Sequence, residues 1–93
     1  MKEIKIVKDN EKDIEMFKTF EPMEQFIYSS GINHNFFAIK IDDDCVALVN
    51  VRGKFFVAKV YKNCLSIGSG LVFELGSIEE VIEKKDWILK GIK

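Results

Sequence analysis

Three runs of β-branched and aromatic residues, separated by short polar turns, constrain the fold of this chain more than any other feature. The runs are FFAIKI, CVALVNV and KFFVAKVY, and their separators are Asp42-Asp43-Asp44 and Arg52-Gly53. Residues of these types favour strands, and short gaps of this kind between them are typical of hairpins. The pattern predicts an antiparallel meander. CLSIGSGLVFEL adds a fourth strand region that is broken or bent around Gly68-Ser69-Gly70.

Two helices are predicted beside this sheet. Residues 13–28 place apolar side chains at three- and four-residue spacing, and Pro22 divides them. This pattern predicts either a short helix followed by a firmer one over residues 22–29, or a loop followed by that helix, with Gly31 as its C-terminal cap. A last helix begins at the capping box of Ser77 and Glu80 and ends at Gly91.

The predicted fold class follows from this order of elements. It is α+β: an antiparallel three- to four-stranded meander with an N-terminal and a C-terminal helix packed mainly on one face. EIKIVK, whose isoleucines alternate with lysines, is a candidate for an extra N-terminal strand. The 93 residues, 47% of them hydrophobic, can bury one core but not two, so residues 1–93 are expected to form a single compact domain.

The chain shows no signal for secretion or for a membrane span. Alternation of apolar and charged residues begins directly after Met1-Lys2-Glu3, without an apolar signal region, and the longest uncharged stretch is interrupted by polar residues. Cys45 and Cys64 then fit reduced thiols better than a disulfide framework. A cytoplasmic location is therefore expected.

A two-residue loop at Arg52-Gly53 predicts which side chains share a sheet face. It pairs Val51 with Lys54, and a three-residue loop at Asp42–Asp44 extends the same face. The predicted core face comprises Phe37, Ile39, Ile41, Cys45, Ala47, Val49, Phe56, Ala58 and Val60. The opposite face comprises Phe36, Ala38, Lys40, Val46, Leu48, Asn50, Phe55, Val57, Lys59 and Tyr61. This second face is too apolar to be left to water, since large apolar patches usually mark interaction sites.

Three hypotheses account for what covers the second face. In the first, the N-terminal strand region, the Pro22 segment or a second copy of the chain buries it, and the protein is a structural domain or a homodimer. In the second, the face binds a protein partner, and Trp87 is a further anchor, because tryptophan is frequent at interface hot spots.

The third hypothesis is binding of single-stranded nucleic acid. Phe36, Phe55 and Tyr61 would stack on bases, while Lys40 and Lys59 would bind phosphates. The net charge of −1 counts against this hypothesis, because affinity for nucleic acid normally depends on a strong positive field.

The predicted core order α-β-β-β-α resembles the topology of double-stranded RNA-binding domains. That family presents a lysine cluster at the start of its last helix. The corresponding residues here are Ser77-Ile78-Glu79-Glu80, whose carboxylates repel phosphate. The resemblance is one of topology, and it implies no RNA-binding residue in this chain.

Catalytic and metal-binding arrangements are not expected. His34 is the only histidine, no CxxC is present, and Asp42-Asp43-Asp44 lacks the alternating spacing and the glycine of a calcium loop. Cys45 or Cys64 with His34 would be the only nucleophile and base, and no third group is indicated to orient them. Glu74 would be the first acid to examine if an enzyme were demonstrated. No catalytic residue, metal ligand or cofactor is therefore predicted.

The leading hypothesis is a non-enzymatic interaction module that binds and blocks or regulates another macromolecule, in the first place a protein. Very small Lys/Glu/Ile-rich domains without catalytic motifs are similar in style to phage and mobile-element inhibitors. Binding of single-stranded nucleic acid and a homodimeric structural domain are the alternatives. The candidate binding residues are Phe36, Lys40, Leu48, Phe55, Val57, Lys59, Tyr61 and Trp87.

Overall fold

The described part of the chain is a single mixed sheet with two helices. The computed structural model describes residues 4–8, 10–31, 34–60, 65–67 and 74–91, with 65–67 described as backbone only. Six strands lie side by side in chain order: β1 (Lys5–Val7), β2 (Gln25–Ser29), β3 (Asn35–Asp42), β4 (Cys45–Val49), β5 (Phe55–Val60) and β6 (Leu65–Ile67). The helices are α1 (Glu11–Lys18) and α2 (Ile78–Gly91).

The α+β class is confirmed. Only β1 and β2 run parallel, and each later pair of neighbours is antiparallel. The candidate N-terminal strand is present as β1. With β1, β2 and β6 added to the three central strands, the order of elements departs from the α-β-β-β-α order of double-stranded RNA-binding domains.

Helix α1 is shorter than the apolar spacing suggests. It begins after Asn10, whose side chain accepts a hydrogen bond from the Asp13 amide at 3.2 Å, and it buries Ile14 and Phe17. The prediction of a helix over residues 22–29 is wrong, because Gln25–Ser29 is β2. Phe26 and Tyr28 are buried on one side of that strand, so a period of two describes this stretch, and the helical spacing was a coincidence.

A tight turn at Pro22 and Met23 joins α1 to β2. The Glu24 amide donates to the Glu21 carbonyl at 3.1 Å, and Met23 has a φ of 75°. Pro22 thus occupies the position of a type II turn that favours proline, and Met23 the position that favours glycine. Pro22 does not split a helix, and Gly31 lies between β2 and β3 instead of capping one.

Replacing Met23 with glycine is expected to raise the free energy of unfolding by about 0.5–1 kcal/mol. Relief of left-handed strain, about 1–2 kcal/mol, exceeds the entropy that glycine adds to the unfolded chain. Urea denaturation measures the difference. Met16→Gly, inside α1, is the matched control and should lower stability by about 1 kcal/mol. A loss of stability in Met23→Gly would contradict the assigned turn.

Helix α2 begins where the sequence predicts. Ser77 Oγ accepts a hydrogen bond from the Glu80 amide at 3.2 Å, and the described range of the helix is Ile78–Gly91. Lys84 Nζ lies 3.9 Å from Glu80 Oε2, as the i,i+4 spacing predicts. Among the described residues, neither helix combines the length and the apolarity needed to span a membrane.

The two helices cover opposite faces of the sheet, so the prediction that both pack on one face is wrong. Alternate residues of β4 belong to different cores, with Val46 and Leu48 on the α1 side and Cys45 and Ala47 on the α2 side. The buried α1-side core comprises Ile6, Ile14, Phe17, Phe20, Phe26, Tyr28, Ala38, Val46, Leu48 and Ala58. The buried α2-side core comprises Ile41, Cys45, Ala47, Val57, Leu75, Val81 and Ile88.

The hairpin between β4 and β5 has a three-residue loop, and the predicted two-residue loop is wrong. Val49 pairs with Phe55, and Asn50 donates its amide to the Lys54 carbonyl at 2.9 Å. Asn50 Oδ1 accepts the amides of Arg52 and Lys54, both at 2.9 Å, and Gly53 supplies the positive φ of 75° that the loop needs. The extra residue exchanges the faces of β5, so Phe56, Ala58 and Val60 lie on the α1 side.

Strand β1 is an edge strand, and some backbone groups on its outer edge already have hydrogen-bond partners. The Val7 amide donates to Asp13 Oδ2 at 2.9 Å, and the Val7 carbonyl accepts the Asn10 amide at 3.2 Å. Groups satisfied in this way cannot pair with a strand from another chain. Addition of a strand at this edge is therefore disfavoured.

Candidate interaction surface

Helix α2 covers only part of its sheet face. It packs against β5 and, less extensively, against β4. A row of directly paired residues, Ile27, Phe37 and Val49, crosses β2, β3 and β4 on this face. Phe37, although it belongs to the third of six strands, is 59% exposed.

The width of a helix and the spacing of strands explain why α2 covers only part of the sheet face. A helix with its side chains is about 10 Å wide. Neighbouring strands are about 4.8 Å apart, so one helix covers about two of them. Val7 of β1 lies on the uncovered side and is exposed, and Ile27 of β2 is half-buried.

Helix α2 borders the uncovered area through one flank. Lys85 Nζ lies 2.8 Å from Asp42 Oδ2 at the end of β3, so the Lys85 flank faces β3. The hydrogen bond to Asp42 raises the pKa of Lys85 above its ordinary value. Ile82, three residues earlier on the same flank, is 50% exposed. The Phe37 surface is defined here as Val7, Ile27, Phe37, Val49 and Ile82.

Charged residues of opposite sign lie on the two sides of the Phe37 surface. Lys5 is directly opposite Ile27 in the β1–β2 pair and is exposed. On α2, the exposed Glu79 and Glu83 lie on the outer side of the helix, next to Ile82. The surface thus has an apolar centre with a basic border along β1 and an acidic border along α2.

Lys40, a predicted phosphate ligand, is 2% exposed and lies inside the fold. Its Nζ donates to the carbonyl oxygens of Phe17 at 3.1 Å, Lys18 at 3.1 Å and Phe20 at 2.7 Å. The same nitrogen is 2.9 Å from Asp43 Oδ1, and the hydrogen bond from Lys40 lowers the pKa of the Asp43 carboxyl. The prediction that Lys40 lies on an exposed nucleic-acid-binding face is wrong, because its ammonium group caps the C-terminal end of α1.

The other predicted site residues do not form one face. Phe36 and Leu48 belong to the α1-side core, as partly and fully buried members. Phe55 and Val57 belong to the α2-side core, so a change such as Phe55→Asp would test stability and not binding. The remaining residues are distributed as follows: Lys59 is half-buried, Trp87 is 64% exposed on α2, and Tyr61 lies outside the described residues. The described residues therefore do not form the predicted nucleic-acid-binding face.

The residues that sequence reasoning missed are those of the Phe37 surface. The sequence predicts Phe37 on the core face, and Phe37 does share a face with Ile39 and Ala47. Its exposure follows from the number of strands and from the presence of one helix on this face, because one helix is too narrow to cover six strands. The number of strands could not be predicted, because the spacing of apolar residues over 22–29 predicts a helix where the structure has β2.

Chemistry of a catalytic or metal site is not supported within the described residues. Burial raises the pKa of the Cys45 thiol to about 12, so it is not poised as a nucleophile. Glu74 pairs with Arg52 and accepts a hydrogen bond from Asn50. In residues 4–8, 10–31, 34–60 and 74–91, no group of three potential ligands is placed to hold a metal ion. Cys64 and Gly68-Ser69-Gly70 lie outside the described residues.

No protein-family model, curated protein or solved structure matches this chain. Its function is therefore inferred from its own residues, and in particular from the Phe37 surface.

Proposed function

We propose that this protein is a non-enzymatic interaction module that binds another protein through the Phe37 surface. The observation that carries the proposal is the 59% exposure of Phe37 within a sheet whose other apolar positions are largely covered. A large apolar surface left open beside a polar border is typical of protein interfaces. Aromatic residues are also enriched in such interfaces.

The surroundings of Phe37 favour a protein over a nucleic acid. Its neighbours Val7, Ile27 and Ile82 are aliphatic and cannot stack on bases as aromatic rings do. Lys40 is held by backbone carbonyls and is not available to a phosphate. Shape complementarity with an apolar protein surface is the binding mode that these residues support.

The proposed mode of action is steric. A module of this size, without a catalytic arrangement in its described residues, acts by occupying a surface that its partner needs for something else. We place this activity in the cytoplasm, where the free thiol of Cys45 is stable. Inhibitor proteins of phage and mobile elements work in this manner, and the proposed role is of that type.

Phe37→Asp is expected to weaken binding of the partner about 30-fold or more, the loss typical of a hot-spot aromatic. A charge at the centre of an apolar interface is left without a counter-charge, while the exposed position tolerates it in the free protein. Tagged wild-type and variant chains are used to purify partners from the native host, and the affinity of each purified partner is then measured by calorimetry.

Met23→Asp is the matched control, because Met23 is 48% exposed, lies outside the Phe37 surface and undergoes the same change of charge. Aspartate also tolerates the positive φ at this position. The control should retain wild-type affinity. Equal affinity of Phe37→Asp and wild type for every purified partner would refute the proposal.

A further inference from the structure

The uncovered half of the sheet has room for one more helix. It spans β1 to β3, a width of about 14 Å at the ordinary spacing of strands. A helix with side chains is about 10 Å wide. Within the described residues, the α2 layer therefore lacks a second helix beside α2, with an apolar residue to place against Phe37.

Helix α2 of another copy has the required chemistry. Its Ile82 is 50% exposed, and Glu79 and Glu83 lie beside Ile82 on the outer side of the helix. Placed over the uncovered half, Ile82 would meet Phe37, and the two glutamates would face the basic border formed by Lys5. The charges of the two borders are complementary.

The arrangement of these groups is also self-complementary. Within one copy Lys5 lies on one side of Phe37 and the glutamates on the other, so a two-fold rotation brings each border against the opposite one. Each contact is then made twice, as in isologous dimers. Addition of a strand at β1 is a poorer alternative, because Asp13 already accepts the Val7 amide.

We infer that the occupant of the Phe37 surface is α2 of a second copy, and that the protein is a two-fold symmetric dimer. This inference rests on the proposed function, since it names the partner of the same surface. The dimer places the Ile82 flanks of both helices near the symmetry axis, each against Phe37 of the other copy. Trp87 lies on a different side of α2 from the Lys85 flank, outside this contact.

Sedimentation equilibrium of the full chain tests the inference. The wild-type protein should show twice the chain mass of 10.7 kDa at micromolar concentration. Ile82→Asp and Phe37→Asp should each raise the dimer dissociation constant about 30-fold or more, as hot-spot losses do. Met23→Asp is the matched control and should remain a dimer, and circular dichroism confirms that each variant is folded.

Charge reversal tests the geometry of the dimer. A chain with Lys5→Glu, and a chain with Glu79→Lys and Glu83→Lys, should each be monomeric because like charges then face each other. An equimolar mixture should restore the dimer, since both borders are again of opposite sign in the mixed pair. A mixture that remains monomeric would overturn the two-fold arrangement.

The remaining outcomes separate this inference from the proposed function. A wild-type monomer, or a dimer that survives both Ile82→Asp and Phe37→Asp, overturns the inference. If either of these outcomes is found and Phe37→Asp still abolishes binding of a purified partner, the proposed function stands with a partner of another kind. If Phe37→Asp changes neither the mass nor the affinity for any partner, both are overturned.

Discussion

Replacing Lys40 with methionine is expected to lower the free energy of unfolding by about 3 kcal/mol. The Lys40 ammonium donates to the carbonyl oxygens of Phe17, Lys18 and Phe20 at the end of α1. The Phe17 carbonyl also accepts the Phe20 amide at 3.0 Å, so Lys40 supplies it with an additional donor. A cation at a helix C-terminus also complements the helix dipole. Methionine preserves most of the apolar stem but donates nothing, so the acceptors lose their common donor.

Urea denaturation of Lys40→Met against the wild type measures this loss. Lys54→Met removes the same charge from an exposed lysine, so its stability should stay within about 0.5 kcal/mol of the wild type. If Lys40→Met lowers the free energy of unfolding no more than Lys54→Met does, water satisfies the carbonyls and Lys40 is not the cap of α1.

Asp43→Asn separates the ion pair from the cap. Asp43 is exposed, and the hydrogen bond from Lys40 lowers the pKa of its carboxyl below 3.8. A lowered pKa in the folded state contributes stability above pH 3.8 that is lost as the pH falls through the folded pKa. Asp43→Asn should therefore flatten the loss of stability in acid and should cost less at neutral pH than Lys40→Met, because the three carbonyl contacts remain.

Replacing Phe17 with alanine is expected to lower the free energy of unfolding by about 4 kcal/mol. The Phe17 side chain is 1% exposed, and its ring meets those of Phe20 and Phe26 edge to face, with centroids 6.1 Å and 5.5 Å apart. Lys40 Nζ also lies 4.9 Å from the centre of the Phe17 ring. Alanine removes these contacts and leaves a cavity that the sheet is too rigid to fill.

Thermal and urea denaturation of Phe17→Ala measure this effect. Small domains are stable by about 5–15 kcal/mol, so the variant should lose much of its cooperative transition. Phe17→Leu should cost about 1.5 kcal/mol or less, because it preserves most of the volume. Met16→Ala, next in the helix but exposed, is the control for α1 itself. Equal costs for Phe17→Ala and Met16→Ala would contradict the packing of the α1-side core.

Several elements were predictable because their causes are local. The runs that became β3, β4 and β5 are rich in β-branched and aromatic residues, which favour strands wherever they lie. The start of helix α2 was predicted, because the Ser77 cap acts within the first turn of the helix.

Other elements were not predictable from local patterns. Residues 25–29 fit a helical spacing and a strand alternation equally well, and pairing with β1 and β3 decided between them. The loop between β4 and β5 gained a third residue because the Asn50 side chain binds two amides within it. That additional loop residue exchanged the faces of β5, so the residues predicted to stack on bases and to bind phosphates do not share one face.

The candidate site depends on tertiary structure almost entirely. The sequence by itself determined the α+β class, the strands of the central meander and the start of the C-terminal helix, because propensities and caps act over a few residues. The tertiary structure alone decided that Lys40 caps α1, that each face of the sheet carries one helix, and that Phe37 is exposed. These outcomes depend on which segments far apart in the chain pack together, and a helix about 10 Å wide cannot cover a six-stranded sheet.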